Sequence, residues 1–156
     1  MPKHENPLAA LLAKNLRVGA VIHKFCDFTK PPKNKFMVVA STQPRLLMLF
    51  INSEVNEFYH QNNLAHFHVP VPAVDHDFLN HDSFTNCVEA HNAFDYTDIR
   101  EEVSNDYASV FKGWITDECL ENVYHAVKGN NVIRKGHQKE IIASIENQLL
   151  HLHSAF

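Results

Sequence analysis

Hydrophobic positions in this chain follow two different periods, and the change from one to the other divides it into helices and strands. At the start, leucines recur every three or four residues behind Asn6 and Pro7, which suit an N-cap and a first helical position. This spacing predicts an N-terminal helix over about residues 6–17. Near the other end, isoleucines and leucines at the same spacing predict a helix over about residues 137–153.

Apolar residues between these helices alternate with polar ones or continue for the length of a strand. Residues 20–28 alternate, which predicts a strand, and the two prolines of residues 29–34 predict a loop. Residues 36–41 and 46–51 are continuous apolar runs joined by a turn-like segment. We therefore expect a hairpin that is buried on both faces.

The middle of the chain gives weaker signals. Residues 67–71 predict an edge strand, because Pro70 within it and Pro72 directly after it withhold backbone donors. Residues 73–80 predict one helical turn and residues 83–88 another strand. The pattern of residues 95–111 fits a loop, a helix or a strand equally well.

A clearly bounded helix follows this ambiguous segment. Thr116 suits its N-cap, two acidic residues favour the positive end of its dipole, and Gly129 suits the C′ position. Short strands followed by helices predict a mostly β, α+β fold with helical additions around a small twisted barrel or half-open sheet. Its 156 residues are the size of one domain, so we assign residues 1–156 to a single domain with its barrel core at about 18–128.

Composition narrows the class of protein. A 45% hydrophobic content with 11 Phe, and only 4 Gly and 7 Pro, excludes collagen-like and wholly disordered chains. No apolar run approaches the roughly 18 residues that span a bilayer, and the N-terminus lacks the features of a signal peptide. Three cysteines without a CxxC pair fit buried apolar positions better than disulfides. We expect a cytoplasmic protein with no membrane association.

Charge is distributed unevenly, although the formal net charge is only −4. Residues 1–45 carry eight Lys or Arg and two acidic residues, a balance of +6, whereas residues 46–131 have a balance of −11. The basic stretch from Lys24 to Arg45 suits an anionic partner such as a short nucleic acid, a phosphate or an acidic peptide. A solvated basic loop is the plainer interpretation of the charge alone, and the acidic majority disfavours long duplex DNA.

Several short segments together resemble the PemK/MazF-type toxins, which are SH3-like barrels that cut RNA without a metal. The resemblance lies in residues 18–25, 35–41, 49–53, 78–87 and 113–118, which read VGAVIHKF, KFMVVAS, LFINS, FLNHDSFTNC and GWITDE. It covers about residues 18–128 and leaves out both terminal helices. The chain departs from the family at Lys35, where an arginine is usual, and at Phe36, which replaces a proline. Its segment 54–80 is longer and rich in histidine.

The resemblance implies cleavage of single-stranded RNA, in which the substrate's own 2′-OH attacks and a cyclic phosphate is left. It implies Lys35 as the cation that stabilises the phosphorane and Ser53 as a hydroxyl donor. Neither is a good general base, so proton transfer at neutral pH suggests a histidine, with His23 and His81 as candidates. Candidates for substrate binding are the basic and polar residues Lys24, Lys30, Lys33, Arg45, Asn52, Asp82 and Ser83. The family further implies a homodimer, an antitoxin partner, no cofactor and a role in a toxin–antitoxin or phage-defence system.

Two other functions stay open. A barrel that binds RNA or a protein without cutting it is favoured by Lys35 in place of arginine and by the missing proline. A hydrolase with a metal bound by histidine and aspartate is suggested by 12 histidines in all. Its candidate ligands are His66, His68, His76, Asp77, His81 and Asp82. These histidines do not have the spacing of a metalloprotease or a zinc finger, so structural or surface histidines are the favoured interpretation. Lys35 and Ser53 likewise have plainer alternative roles, as a charge at the edge of a strand and as the cap of a turn.

Overall fold

A computed structural model describes residues 7–154, apart from the side chains of residues 9, 12 and 151–154. The predicted N-cap Asn6 lies outside the described residues. Two 3-10 turns, Ala65–Phe67 and Ala73–Asp75, flank the strand His68–Val71. The strands and helices in chain order are α1 (Pro7–Ala13), β1 (Ala20–Cys26), β2 (Lys33–Ser41), β3 (Leu47–Asn52), α2 (Glu57–Gln61), β4 (His68–Val71), β5 (Ser83–Asn86), α3 (Tyr96–Asn105), α4 (Tyr107–Val110), β6 (Phe111–Trp114), α5 (Asp117–Lys128) and α6 (Lys135–Ser154).

The strands form one curled antiparallel sheet with the order β4-β5-β3-β2-β1-β6. Its centre is the β1–β2–β3 meander, in which Val38 pairs with Val21 on one side and Leu49 on the other. The edge position of β4, which carries Pro70, confirms the predicted edge strand. The fold is therefore α+β, with the sheet curled into a half-barrel and helices packed around it.

Both faces of the central strands are covered. On one face Val21, Val38 and Leu49 belong to a core that includes residues of α5 and α6. On the other face Ile22 and Met37 belong to a second core, with Leu16 after α1 and Ile99 and Val103 of α3. The expectation of a hairpin buried on both faces is confirmed, and the continuous apolar runs follow from it because neither face meets water.

His76 joins two parts of the fold that are distant in sequence. Its side chain is 1% exposed, and its Nδ1 lies 2.6 Å from the carbonyl oxygen of Pro72, to which it donates. Its Nε2 accepts from the backbone N–H of Thr116 at 3.2 Å. Thr116 in turn caps α5 by accepting from the N–H of Cys119, which confirms the predicted N-cap. His76 therefore ties the segment after β4 to the start of α5.

Several boundaries differ from those that the sequence pattern predicts. Strand β1 ends at Cys26 and β2 begins at Lys33, inside the predicted loop, because Cys26 and Lys33 pair across the hairpin. Strand β5 ends at Asn86, two residues early, and α6 begins at Lys135, two residues before the predicted start. Gly129 follows α5 as predicted, but its φ of −83° is not left-handed.

The ambiguous segment 95–111 contains α3 and α4 and leads into β6. Strand β6 was not predicted, because its pairing partner β1 is distant in sequence and its own pattern contains Gly113. Gly113 has a φ of +145°, which favours glycine, and a Cβ there would lie 3.4 Å from the ring of Phe78. Within the described residues, none of the helices has the length and apolar character needed to cross a membrane.

Two positions of α6 test whether this helix is part of the core. Ile145 is completely buried in the core that includes α5, whereas Leu150 is 69% exposed. We expect Ile145→Ala to lower the free energy of unfolding by about 2–5 kcal/mol, because it removes buried methyl groups and leaves a cavity. Urea unfolding should show this loss, with Leu150→Ala within about 0.5 kcal/mol of the unsubstituted protein. Equal effects of the two substitutions would contradict the packing of α6.

Candidate functional site

A cleft of about 580 Å³ opens where β2 and β3 reach the edge of the second core. Five residues singled out from the sequence line it, namely Lys30, Lys33, Lys35, Asn52 and Ser53. Sequence reasoning did not select the other lining residues, Phe28, Thr29, Phe50, Glu54, Asn56, Tyr59, Asn86, Glu89 and His91. The cleft thus combines amines, amides and aromatic rings with two carboxylates, those of Glu54 and Glu89.

Lys35 and Asn52 meet because of the strand register. Phe36 pairs with Ile51, so the preceding residue of β2 lies opposite the following residue of β3. The Nζ of Lys35 donates a hydrogen bond to Oδ1 of Asn52 and lies 5.1 Å from the centroid of the Phe50 ring. An amide and an aromatic face together hold the ammonium group in place.

Burial lowers the pKa of Lys35, and the neighbouring charge of Lys33 lowers it further. Two amines on one strand therefore make the cleft favourable for an anion, which would relieve their mutual repulsion. A lowered pKa also makes the ammonium group a better proton donor than an ordinary lysine.

Three rings form an aromatic wall, which we define as Phe28, Phe50 and His91. The rings of Phe50 and His91 are stacked with centroids 4.0 Å apart, and Phe28 lies 5.9 Å from Phe50 and 5.6 Å from His91. Phe28 is 38% exposed, so part of its surface is open to a ligand. Stacked planar rings beside amines are the combination that binds unpaired bases and their phosphates.

His91 is held in the wall by its backbone. Its N–H donates to the carbonyl of Met48 at 2.8 Å, and its own carbonyl accepts from the N–H of Met48 at 3.0 Å. Burial is the largest cause of the lowered pKa of His91, the charges of Lys35 and His137 lower it further, and Glu89 opposes them. The neutral imidazole, which can accept a proton, is therefore the favoured form.

A hydrogen-bonded pair of polar side chains also lines the cleft. The side-chain N–H of Asn86 donates to the hydroxyl of Tyr59 at 3.0 Å, while its Oδ1 accepts from the N–H of Val88 at 2.8 Å. The ring of His68 lies 4.5 Å from that of Tyr59. These contacts fix the side chains of Asn86 and Tyr59.

Two basic residues predicted to bind substrate are held elsewhere by glutamates. Lys24 lies 2.7 Å from Glu102 of α3, and Arg45 lies 3.0 Å from Glu140 of α6. Arg45 lines a different cavity, of about 410 Å³, beside the turn between β2 and β3. The basic stretch of the sequence is therefore divided, and only its middle part faces the cleft.

The two histidines selected for proton transfer lie away from Lys35. His23 packs against Phe36 with ring centroids 4.5 Å apart, on the opposite face of the sheet. Burial is the larger cause of the lowered pKa of His23, and the charge of Lys112 lowers it further. His81 is exposed, and its carbonyl accepts from the hydroxyl of Ser83 at 3.1 Å. The structure brings neither histidine together with Lys35, whereas it does place His91 beside the same cleft.

Asp82 and Ser83 stabilise the start of β5. The Oδ1 of Asp82 accepts from the backbone N–H of Ala73 at 2.9 Å, and Ser83 is buried. Ser83 shares a face with Thr85, which pairs with Ile51, so it lies on the side of the sheet opposite Asn52. Their observed contacts are structural.

The histidines considered as metal ligands are dispersed or engaged. His66 is exposed, His68 contacts the carbonyls of Leu64 and Ala65 through Nδ1, and His76 uses both ring nitrogens. Over the part of the chain that the structure describes, no cluster of three or more His, Cys, Asp or Glu residues is arranged to hold a metal ion. The favoured interpretation of structural or surface histidines agrees with these contacts.

All three cysteines are buried and free, as predicted for small apolar residues. Burial raises the pKa of the Cys87 thiol to about 12. A thiol that holds its proton so strongly is a poor nucleophile. Cys87 therefore serves packing rather than catalysis.

Comparison with known proteins adds no family assignment. No protein-family model matches the chain, and no curated protein matches it significantly. The site is therefore interpreted from its own geometry.

The titration of His91 tests the environment of the cleft. We expect a pKa below the ordinary value of about 6.5, observable by NMR of the imidazole resonances. Lys35→Met should raise the pKa of His91, because it removes a positive charge, whereas Lys128→Met on α5 should leave it unchanged. Since the unfolded state then binds more protons, the folded state should also lose stability as pH falls from about 6.5 through the folded pKa of His91. A pKa of His91 above 6.5 would contradict this arrangement.

Proposed function

We propose that this protein is an endoribonuclease that cuts single-stranded RNA without a metal, in a toxin–antitoxin or phage-defence setting. The observation that carries the proposal is the cleft in which the Lys35 amine, the Asn52 amide and the ring of His91 surround Phe50. The curled half-barrel is then the SH3-like barrel that the sequence resemblance implies.

Binding in this proposal uses both properties of the cleft. Lys30, Lys33 and Lys35 attract the phosphates, and the exposed part of Phe28 supplies a surface on which one base stacks. Duplex nucleic acid cannot offer an unstacked base to such a wall, so the cleft favours single strands. An acidic antitoxin segment would compete for the same amines, and a homodimer is the assembly that the family implies.

The reaction needs three groups around one phosphate. His91, favoured in its neutral form, accepts the proton of the RNA 2′-OH, and the 2′ oxygen attacks the adjacent phosphorus. Lys35 stabilises the charge that builds on the phosphorane oxygens, and Asn52 holds Lys35 in position. The bond to the 5′ oxygen breaks, and that oxygen takes a proton from the Lys35 ammonium or from water. The products are a 2′,3′-cyclic phosphate and a 5′-hydroxyl end, and Ser53 at the cleft supplies a further donor to a phosphate oxygen.

A second candidate is a module that binds single-stranded RNA without cutting it. The observation that favours it is the placement of His23 and His81 outside the cleft, which leaves His91 as the histidine that lines it within the described residues. A lysine also binds phosphate as a point charge and not as a bidentate fork. The two functions share one binding site and differ in turnover.

Incubation of the purified protein with mixed-sequence single-stranded RNA tests the proposal. We expect cleavage that is unaffected by EDTA and leaves cyclic phosphate ends. Lys35→Met should lower the cleavage rate by about 10²–10³, because it removes transition-state charge stabilisation. His91→Gln should lower it by about 10²–10⁴, through loss of the proton acceptor. Lys35→Arg keeps the positive charge but cannot donate a proton, so it should retain activity where water protonates the leaving oxygen and lose activity where the Lys35 ammonium does.

The control is Lys128→Met, which removes an exposed lysine of α5 outside the cleft and should cut RNA at the normal rate. Cleavage that EDTA abolishes would overturn the metal-independent mechanism. RNA binding without any cleavage would identify the binding module instead. Cleavage unchanged in both Lys35→Met and His91→Gln would place the active site elsewhere.

Phe28 offers a separate test of the aromatic wall. We expect Phe28→Ala to weaken binding of single-stranded RNA by about 1–3 kcal/mol, the contribution of one base stacked on an aromatic ring. Fluorescence anisotropy with a labelled oligonucleotide measures this loss. Phe25→Ala is the matched control, because Phe25 is also exposed, at 54%, but lies outside the cleft. Equal losses in the two variants would contradict a specific role of Phe28.

A further inference from the structure

A second cleft, of about 560 Å³, adjoins the aromatic wall. Phe28, His91 and Glu89 line both clefts, so the two openings are neighbours. Arg134 and His137, at the beginning of α6, also line the second cleft. A ligand that crosses the edge of Phe28 would therefore enter it from the first cleft.

His137 lines this cleft and carries a buried hydrogen-bonding atom that has no partner. The residue is only 6% exposed, and its Nε2 is buried with no hydrogen-bond partner among the described residues. A buried polar atom left unpaired destabilises the folded protein, so a ligand that supplies the missing partner gains binding free energy. In the Nε2–H tautomer this atom donates to an oxygen.

The surroundings of His137 favour an anion. The N–H of Gln138 donates to the carbonyl of Arg134 at 2.9 Å, which places Arg134 at the start of the helix. The first-turn N–H groups that follow have no acceptor within a helix, and this turn contains no acidic residue. Two carboxylates oppose an anion there, namely Glu89 at the rim, which is exposed, and Glu140 on α6, whose charge acts on His137 and which lies 3.0 Å from Arg45.

The loop that leads into α6 is fixed by hydrogen bonds. Asn130 is buried, and its Nδ2 donates to the carbonyl of Cys87 at 2.7 Å while its Oδ1 accepts from the N–H of Val132 at 2.7 Å. Gln138 adds a donor to the carbonyl of Asn130 at 2.7 Å. Arg134 and His137 therefore stand on a rigid support, which lowers the ordering cost of binding.

We propose that the Arg134–His137 cleft is a second phosphate subsite, which holds a neighbouring phosphodiester of the same RNA strand that occupies the Lys35 cleft. This inference rests on the proposed function. Arg134 and the first turn of α6 neutralise the phosphate, and His137 donates to it through Nε2. The strand passes over the wall of Phe28 and His91, so the two subsites set the path of the RNA.

The test measures how binding depends on oligonucleotide length. The probes are a dinucleotide and a hexanucleotide of mixed-sequence 2′-O-methyl RNA, which lack the attacking hydroxyl and cannot be cleaved. The unsubstituted protein should bind the hexanucleotide more tightly, because only this probe reaches both clefts. Arg134→Met should weaken hexanucleotide binding about tenfold, and should lower the slope of log K against log salt concentration by about 0.7, as expected for one lost phosphate contact. Dinucleotide binding should not change.

Lys139→Met is the matched control, since it removes an exposed lysine of the same helix and should leave both the affinity and the salt slope unchanged. Addition of the hexanucleotide to the unsubstituted protein should also shift the imidazole resonances of His137 in an NMR spectrum. This second measurement does not depend on whether a variant folds, which urea unfolding checks separately.

The possible results distinguish failure of the second subsite from failure of the proposed function. If Lys35→Met weakens binding of both probes, while Arg134→Met has no effect and the His137 resonances do not shift, the second subsite is wrong and binding in the first cleft is supported. If the unsubstituted protein binds neither probe, both the proposed function and the subsite are wrong. Length dependence that is lost in Arg134→Met, with shifted His137 resonances, supports the subsite.

Discussion

Coverage of the β1–β2–β3 meander on both faces is the constraint on which the rest of this structure depends. Val21 and Ile22 are neighbours in sequence, yet each is completely buried in a different core. Because helices occupy both sides of these strands, the middle of β2 and of β3 carries only apolar side chains. The polar side chains of these two strands lie toward their ends, where Lys35 and Asn52 reach the cleft.

The same constraint explains how the site is assembled. In the antiparallel register Phe36 pairs with Ile51, and Lys35 therefore lies opposite Asn52. No further element is needed to bring Lys35 and Asn52 together. The bridge between Met48 and His91 then attaches a loop residue to the same strand. A rigid scaffold thereby orients side chains contributed by strands and by a loop, which is a common division of labour in binding sites.

Much of the fold was predictable from local patterns. The apolar runs of β2 and β3 and the Thr116 cap of α5 are signals contained within a few residues, and the structure confirms them. Strand β6 was not predictable in this way, since its four residues become a strand by pairing with β1. A pattern that depends on a distant partner leaves little trace in its own segment.

The candidate site, like the fold, was predictable from the sequence only in part. Lys35 was selected through the family resemblance, and Asn52 follows directly on the apolar run of β3. His91 was not selected, because the segment around it has no period and its place in the wall depends on hydrogen bonds to Met48. A histidine paired across the sheet with a hydrophobic strand is visible only in three dimensions. His23 and His81 were selected for their residue type, and the contacts of each are with Phe36 and with the start of β5.

Because Lys35 donates a hydrogen bond to Asn52, its side chain loses conformational entropy when the protein folds and not when a ligand binds. A free lysine side chain carries about 2 kcal/mol of rotamer freedom, most of which a ligand must otherwise remove. Here the amide of Asn52 and the ring of Phe50 restrict the ammonium group while the chain folds. Folding, driven by the two hydrophobic cores, thus absorbs a cost that would otherwise fall on each encounter with an anion. The ammonium group of Lys35 is therefore already positioned before an anion reaches the cleft.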